Sequence, residues 1–221
     1  MKKTLITLLI MPFFTVFANA ADLSDANFTI GVGGAQYVSG VSVRETQDGG
    51  VPATGTRKDS DKESGVFADV QGYVFAEVGV DRFAVGVSYS VSDMSTPEAT
   101  NTKNGSKNTV QVDFGDMLTA YATIDLVGGF YAKAGIVDGD IMTNEVVRTS
   151  SQSGSTVPDQ DLEGTVAGIG FKHTLDTGIQ LRSEIMYGSY DNFSVTDTSG
   201  DKYDVSGMES LQAHVALAYT F

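Results

Sequence analysis

The stretch that decides the fold is Glu209–Phe221, ESLQAHVALAYTF, at the end of the chain. Its residues alternate strictly between two kinds of side chain. One face is apolar throughout: Leu211, Ala213, Val215, Leu217, Tyr219 and Phe221. The other face is small or polar and includes Gln212 and His214. Because successive side chains of a β-strand point to opposite faces, this period of two predicts a strand with one apolar and one polar side.

The same alternation recurs in seven earlier segments, so the sequence predicts eight strands. We place them near residues 27–38, 65–79, 82–92, 109–126, 129–138, 163–175, 178–190 and 208–221. Short turns are expected at 79–82, 127–129 and 176–178, and long polar loops at 39–64, 93–108, 139–162 and 191–207. Short and long connections in strict alternation predict an antiparallel, up-and-down sheet whose long loops all lie at one end.

The polar faces of these strands predict that the sheet closes in a membrane. They carry charged and polar groups that suit a narrow interior: Asp69, Glu77, Asp113, Lys133, Arg182, Glu184 and His214. Lipid offers no hydrogen-bond partner, so a membrane-spanning sheet needs to have no open edge. The predicted fold is therefore an all-β, eight-stranded antiparallel up-and-down transmembrane β-barrel. A soluble, lipocalin-like periplasmic carrier has the same strand count and stays open as an alternative.

The seven polar side chains are predicted to form a network that fills the lumen and neutralises itself. Eight strands enclose a space that side chains alone can fill, so no general pore is expected. Asp116 does not fit the alternation, because it falls on the apolar face of the fourth strand. A β-bulge near Gly115 is expected to turn it inward.

The start of the chain predicts export. A short basic segment, Met1-Lys2-Lys3, precedes an apolar run at 4–17 and the residues Ala18-Asn19-Ala20, with small side chains at 18 and 20. This order is typical of a Sec signal peptide over residues 1–20, which leaves 21–221 as the barrel domain. The chain has no cysteine, so disulfides and thiol catalysis are excluded. A formal net charge of -14 argues against a nucleic-acid partner.

The search for chemistry predicts neither an enzyme nor a cofactor. The two histidines, His173 and His214, do not form a credible set with a serine and an aspartate in the outer loops. Acidic pairs occur in the predicted loops: Asp59 with Asp61, Asp138 with Asp140, Asp159 with Asp161, and Asp201 with Asp204. They are interpreted as a solvated acidic surface, and no metal site is assigned. Weak divalent bridging to lipopolysaccharide phosphates is the functional alternative.

The last strand also carries a resemblance. Val215, Leu217 and Tyr219 precede a terminal Phe221 at alternate positions, which resembles the signal that the barrel assembly machinery recognises. With the signal peptide and the rhythm of strands and loops, the mature chain resembles the small eight-stranded outer-membrane barrels. Outer membrane protein X, the attachment-invasion proteins and the opacity proteins belong to that family.

The resemblance implies a scaffold in the cell outer membrane of a Gram-negative bacterium. Its expected partners are membrane lipid, lipopolysaccharide, the assembly machinery, and a host, cell-surface or phage ligand. The predicted function is structural or surface interaction, such as adhesion or envelope integrity, through four long extracellular loops. A narrow channel for small solutes is the alternative from a different class.

Overall fold

The computed structural model describes residues 26–48, 58–103, 106–147, 157–197 and 202–221. The predicted signal peptide, 1–20, lies outside these residues, so its cleavage stays a prediction. Within the described ranges, the chain has no helix that is both long and apolar enough to cross a membrane.

The described residues form eleven antiparallel strands. They are β1 (Asn27–Asp48), β2 (Lys58–Val80), β3 (Phe83–Ser90), β4 (Met94–Ser95), β5 (Ala99–Lys103), β6 (Ser106–Asp125), β7 (Phe130–Val147), β8 (Gln160–Thr174), β9 (Ile179–Tyr190), β10 (Phe193–Thr196) and β11 (Lys202–Thr220). Eight of them form a ring in the order β1, β2, β3, β6, β7, β8, β9 and β11. The ring closes where β11 pairs with β1, from Thr29 opposite Thr220 to Thr46 opposite Lys202. The predicted eight-stranded antiparallel barrel is confirmed.

Tight connections join the strands at one end, which we call the short-turn end. The turns fall where they were predicted, and several of their residues have a positive φ: Asp81, Gly128, Gly129 and Gly178. Glycine adopts this left-handed conformation without steric cost, which explains its place in these turns. The opposite end, the loop end, carries the long connections.

The outer face of the ring is an apolar belt. Its large apolar side chains are exposed on strands all around the barrel, among them Phe28, Ile30, Val74, Phe83, Ile169, Leu181, Ile185, Val215 and Leu217. Such a surface suits hydrocarbon, and closure of the ring removes the sheet edge that hydrocarbon would leave without partners. A soluble carrier needs the reverse arrangement, with a polar exterior. The lipocalin-like alternative is therefore wrong.

Several strands are longer than predicted at the loop end. β1 has 22 residues and β2 has 23, and their pairing continues to Asp48 opposite Lys58. Much of the segment predicted as the first long loop, 39–64, is therefore strand. The short strands β4, β5 and β10 likewise lie within predicted loops. Backbone hydrogen bonds between strands do not depend on apolar side chains, so the strands can continue beyond the membrane. The alternation of apolar and polar residues, by which the strands were predicted, therefore ends before the strands do.

The predicted β-bulge in the fourth strand of the ring is present. The pairing of β6 with β7 shifts between Gly115 and Leu118, and Asp116 has a φ of 49°. Asp116 nevertheless stays exposed on the outer face, where its carboxylate accepts a hydrogen bond from the Tyr89 hydroxyl. The expectation that the bulge turns Asp116 inward is wrong.

The bulge instead exchanges the two faces of β6. After it, Met117 and Tyr121 are buried, whereas before it the buried residue is Phe114. A shift of one residue moves every side chain of a strand to the other face. Asp113, the neighbour of Phe114, therefore lies on the side of the strand that faces away from the core and does not enter the lumen.

Candidate functional site in the lumen

The interior of the barrel changes character along its axis. Toward the short-turn end the buried side chains are polar, and they include Thr29, Glu77, Thr123, Lys133, Gln180, Arg182 and Glu184. Toward the loop end they form an apolar cluster that includes Phe67, Met94, Phe114, Met117, Ile141, Leu162, Met186 and Met208. We call these two parts the polar layer and the apolar plug. The strict alternation of β9, exposed and buried in turn from Ile179 to Tyr190, places its polar residues inside.

The first ion pair of the polar layer bridges two strands that are not neighbours. Arg182 on β9 donates from Nη1 to Oε1 of Glu77 on β2 at 2.6 Å, and its Nη2 contacts Oε2. The Tyr121 hydroxyl donates to the same Oε1 at 3.0 Å. The guanidinium also lies 4.7 Å from the ring centroid of Phe75. A bidentate pair of this kind fixes both side chains in position, so it holds opposite walls of the barrel together.

The second carboxylate of the polar layer, Glu184, has its own partners. Its Oε2 accepts from Nζ of Lys133 at 2.9 Å, and its Oε1 accepts from the Tyr131 hydroxyl at 2.5 Å. Lys133 also lies 4.0 Å above the ring of Tyr121, which links the two ion pairs. Two carboxylates thus face two cations. These four groups therefore contribute no net charge to the polar layer. Buried ions are costly unless each is paired with an opposite charge.

His214 lies at the boundary between the two layers. Its Nε2 is 2.9 Å from Oε1 of Gln212, and its Nδ1 is 3.8 Å from Oε2 of Glu184. The rings of Tyr37 and Tyr73 pack beside it, with centroids 6.0 Å and 5.3 Å away. These contacts position the imidazole within the packed interior, and none of them is with a hydroxyl nucleophile of the kind that acyl transfer uses. The absence of enzymatic activity stays a prediction.

Glycines on the inner wall make room for the aromatic rings. A Cβ at Gly170 would lie 2.4 Å from Cζ of Tyr131, and one at Gly31 would lie 2.4 Å from Cε1 of Phe75. Each ring therefore lies flat against a strand that has no side chain at that point. Glycine is required at Gly170 for this close approach, because Tyr131 is fully buried and is held by Glu184.

The described side chains of the lumen leave small cavities between them. A cavity of about 30 Å³ lies between the two layers and is bordered by Gln71, Tyr73, Lys133 and His214, among others. A second cavity of about 10 Å³ lies within the apolar plug. The first has room for about two water molecules. The stacked rings of Phe67 and Phe114, with centroids 5.6 Å apart, are part of the plug above it.

The structure brings five of the seven predicted lumen residues together: Glu77, Lys133, Arg182, Glu184 and His214. Asp69 and Asp113 lie apart from them. The Asp69 carboxylate accepts from the backbone N–H of Ser95 and of Val70, both at 2.8 Å. It therefore ties β4 to β2 near the loop end instead of joining the ionic network, and Asp113 points away from the core for the reason given above.

The residues of the predicted assembly signal lie on the outer face of β11. Val215, Leu217, Tyr219 and Phe221 are all exposed, between 44% and 70%. The Tyr219 and Phe221 rings meet edge to face, with centroids 4.8 Å apart. These side chains belong to the apolar belt, and their recognition by the assembly machinery stays a prediction.

The acidic pairs predicted in the loops gather no metal-binding group within the described residues. Asp204 pairs with Lys202 on its own strand, with Nζ and Oδ1 2.7 Å apart. Hydrogen bonds from Lys202 and from the Ser194 hydroxyl hold the pKa of Asp204 below its usual value. The side chains of Asp59, Asp61 and Asp201 lie outside the described part, and divalent bridging to lipopolysaccharide stays a prediction.

Sequence reasoning missed the tyrosines that complete the network. Tyr131 is on the same face as Lys133, two residues away, so the alternation could have found it. Tyr121 shares a face with the buried Thr123, opposite the apolar Leu118, Ala120 and Ala122, so the alternation could have found it too. Their hydroxyls satisfy the carboxylates of Glu77 and Glu184 from the side that the cations leave open.

Comparison with known proteins supports the class that this fold defines. No family model matches the chain, and no curated protein matches it. Among solved structures, the outer membrane protein OprG of Pseudomonas aeruginosa is 16% identical, covers 88% of this chain and 95% of its own length, and has a TM-score of 0.54.

Two further solved structures are similar to this chain, with TM-scores below 0.5. A major outer membrane protein of Thermus thermophilus is 10% identical over 85% of this chain and 99% of its own, with a TM-score of 0.48. Ail, the attachment invasion locus protein of Yersinia pestis, is 12% identical over 86% and 99%, with a TM-score of 0.36. At 16% identity the likeness to OprG concerns the fold, and it confirms the fold of a small outer-membrane barrel.

Proposed function

We propose that the chain is a closed structural barrel of the outer membrane that presents extracellular β-structure to other surfaces. The observation that carries this proposal is the filled lumen. Ion pairs bridge the polar layer, and apolar side chains occupy the plug, so the interior serves to hold the walls together. The strands that continue beyond the apolar belt, above all β1 and β2, then form a stiff support for the loops.

Conductance separates a structural barrel from a channel. The purified barrel is reconstituted into a planar lipid bilayer, with a general porin as the positive control. A closed lumen predicts no conductance steps above the leak of the protein-free bilayer, because the ion pairs and the apolar plug would block a continuous water path. Regular steps from the wild-type chain would contradict a purely structural role.

The surface-contact part of the proposal needs a test of its own. Residues 43–63, which include the outer ends of β1 and β2, are replaced by an Asn-Gly turn, which suits a two-residue hairpin. We expect bacteria that express this variant to attach less to epithelial cell layers than bacteria with the wild-type protein. Asp176→Asn, an exposed change at the short-turn end, is the control. Equal attachment of the truncated and wild-type proteins would contradict the proposal.

A narrow channel for small solutes is the second candidate. One observation favours it: the cavity of about 30 Å³ has the ammonium of Lys133 and the imidazole of His214 at its border. A path would require the apolar plug to move aside. The same bilayer measurement decides between the two candidates.

A further inference from the structure

The outer wall of the barrel has a groove that the closed lumen does not explain. It has a volume of about 330 Å³ and crosses β1, β2, β3, β6 and β7 on the lipid-facing side. Small side chains form its floor: Ala76, Ala120, Ala122 and Ala134. Phe28 and Ile136 stand at its borders, and Phe28 is 56% exposed. We call this feature the alanine groove.

The alanine groove lies in the half of the apolar belt nearest the short-turn end. Val85, which borders it, pairs with Ala122 and is three residues beyond Arg82 in the turn that joins β2 and β3. At about 3.3 Å per residue, this part of the groove lies about 10 Å from Arg82 along the strand. One leaflet of hydrocarbon is roughly 15 Å thick, so the groove and Arg82 fit within a single leaflet.

Arg82 is held at the edge of the belt. Its Nε and Nη2 donate to the backbone carbonyl of Asp125 at 3.0 Å and 2.7 Å. The side chain of Asp125 pairs with Lys172 at 2.7 Å, so that carboxylate is already neutralised. Arg82 is exposed, and its position is fixed by these hydrogen bonds. A guanidinium of this kind suits a phosphate group, whose oxygens accept its remaining N–H donors.

We propose that the alanine groove binds one acyl chain of a phospholipid whose phosphate rests on Arg82. In the orientation predicted from the sequence, this phospholipid belongs to the inner leaflet. The groove is apolar and lies within the belt, so hydrocarbon is its natural occupant, and small floor residues let a chain approach the backbone closely. A second barrel fits less well, because its convex wall would meet Phe28 and Ile136 before it reached the floor.

The test counts the phospholipid molecules that stay on the barrel. The protein is reconstituted with phosphatidylglycerol or with dioleoylglycerol, released into mild detergent and examined by native mass spectrometry. Ala122→Phe fills the floor of the groove. Ala213→Phe is the matched control, because Ala213 is an exposed outward residue of β11 outside the groove. The slower gel migration of boiled samples verifies that each variant is folded, and Ala120→Leu replaces Ala122→Phe if that variant fails to fold.

We expect Ala122→Phe to retain one phosphatidylglycerol fewer per barrel than the wild type, and Ala213→Phe to retain the wild-type number. Arg82→Gln should lose the same phosphatidylglycerol but keep dioleoylglycerol, which has no phosphate. Equal counts for Ala122→Phe and Ala213→Phe would overturn the proposal. So would a wild-type dimer that disappears in Ala122→Phe, since the occupant would then be a second copy. An unchanged phosphatidylglycerol count in Arg82→Gln would overturn the role of that arginine.

Discussion

At the scale of single residues, the ion pair of Glu77 and Arg182 is the most sensitive point of the lumen. Glu77→Gln leaves a buried guanidinium without its counter-charge, and we expect a loss of about 3–5 kcal/mol in the free energy of unfolding. Urea unfolding of the barrel in lipid vesicles measures this change. The double variant Glu77→Gln/Arg182→Gln should recover part of the loss, because no buried charge is left unpaired. A double variant as unstable as the sum of the two single variants would contradict the coupling.

Gly170 gives a second residue-scale prediction. Gly170→Ala places a methyl group against the ring of Tyr131, which cannot move without breaking its hydrogen bond to Glu184. We expect the variant to be less stable by about 1–3 kcal/mol, as overpacked interiors are. Gly34→Ala is the matched control, since nothing lies within 4 Å of a Cβ at that position. Equal unfolding free energies for the two variants would show that the inner wall tolerates the methyl group.

The alternation of polar and apolar residues predicted the lumen residues correctly only where the strand register is unbroken. Glu77, Lys133, Arg182, Glu184 and His214 lie on strands whose pairing continues without a shift through these positions, and all five line the lumen. Asp113 precedes the bulge in β6, and Asp116 lies within it. The alternation was read in one register through β6, and because a bulge exchanges the two faces, the residues before it were assigned to the wrong face.

At the scale of the elements, the length of the strands is the main departure from expectation. The short turns could be predicted because Gly and Asp mark them chemically. The outer parts of β1 and β2 could not, because water surrounds them and no apolar face is needed there. They consist largely of Ser, Thr and charged residues, which occur in exposed strands and in loops alike. Only the pairing with a neighbouring strand therefore shows that these segments are strands.

Cross-linking tests whether the outer part of the hairpin is a strand in the stated register. Ser42 lies opposite Ser64, with their Oγ atoms 2.8 Å apart. We expect Ser42→Cys/Ser64→Cys to form a disulfide under mild oxidation, and the chain has no other cysteine to interfere. The loss of free thiols, measured with a colorimetric reagent, reports the reaction.

The control for this cross-link is a pair displaced by one residue. Ser42→Cys/Glu63→Cys puts the second thiol opposite Val43 and on the other face of β2. It should stay reduced under the same conditions. Equal oxidation of the two pairs would indicate that this segment has no fixed register.

At the scale of the whole molecule, closure of the ring should give the barrel exceptional resistance to detergent. The membrane fraction of expressing cells is run on a gel with and without boiling. We expect the protein in the outer-membrane fraction, with faster migration of the unboiled sample, because a closed sheet unfolds only when all its strand pairs separate. Recovery in the soluble periplasm, with no change in mobility, would contradict the membrane location.

N-terminal sequencing of the same band tests cleavage after Ala20.

The division of the interior into a polar layer and an apolar plug has an evolutionary consequence. At the loop end, outward residues of the strands, such as Arg44 and its partner Asp204, lie far from the ionic network. We expect replacements at such positions to leave insertion and closure of the barrel intact. Sequence drift should therefore concentrate at the outer rim, and the ionic network and the apolar plug should vary least among relatives.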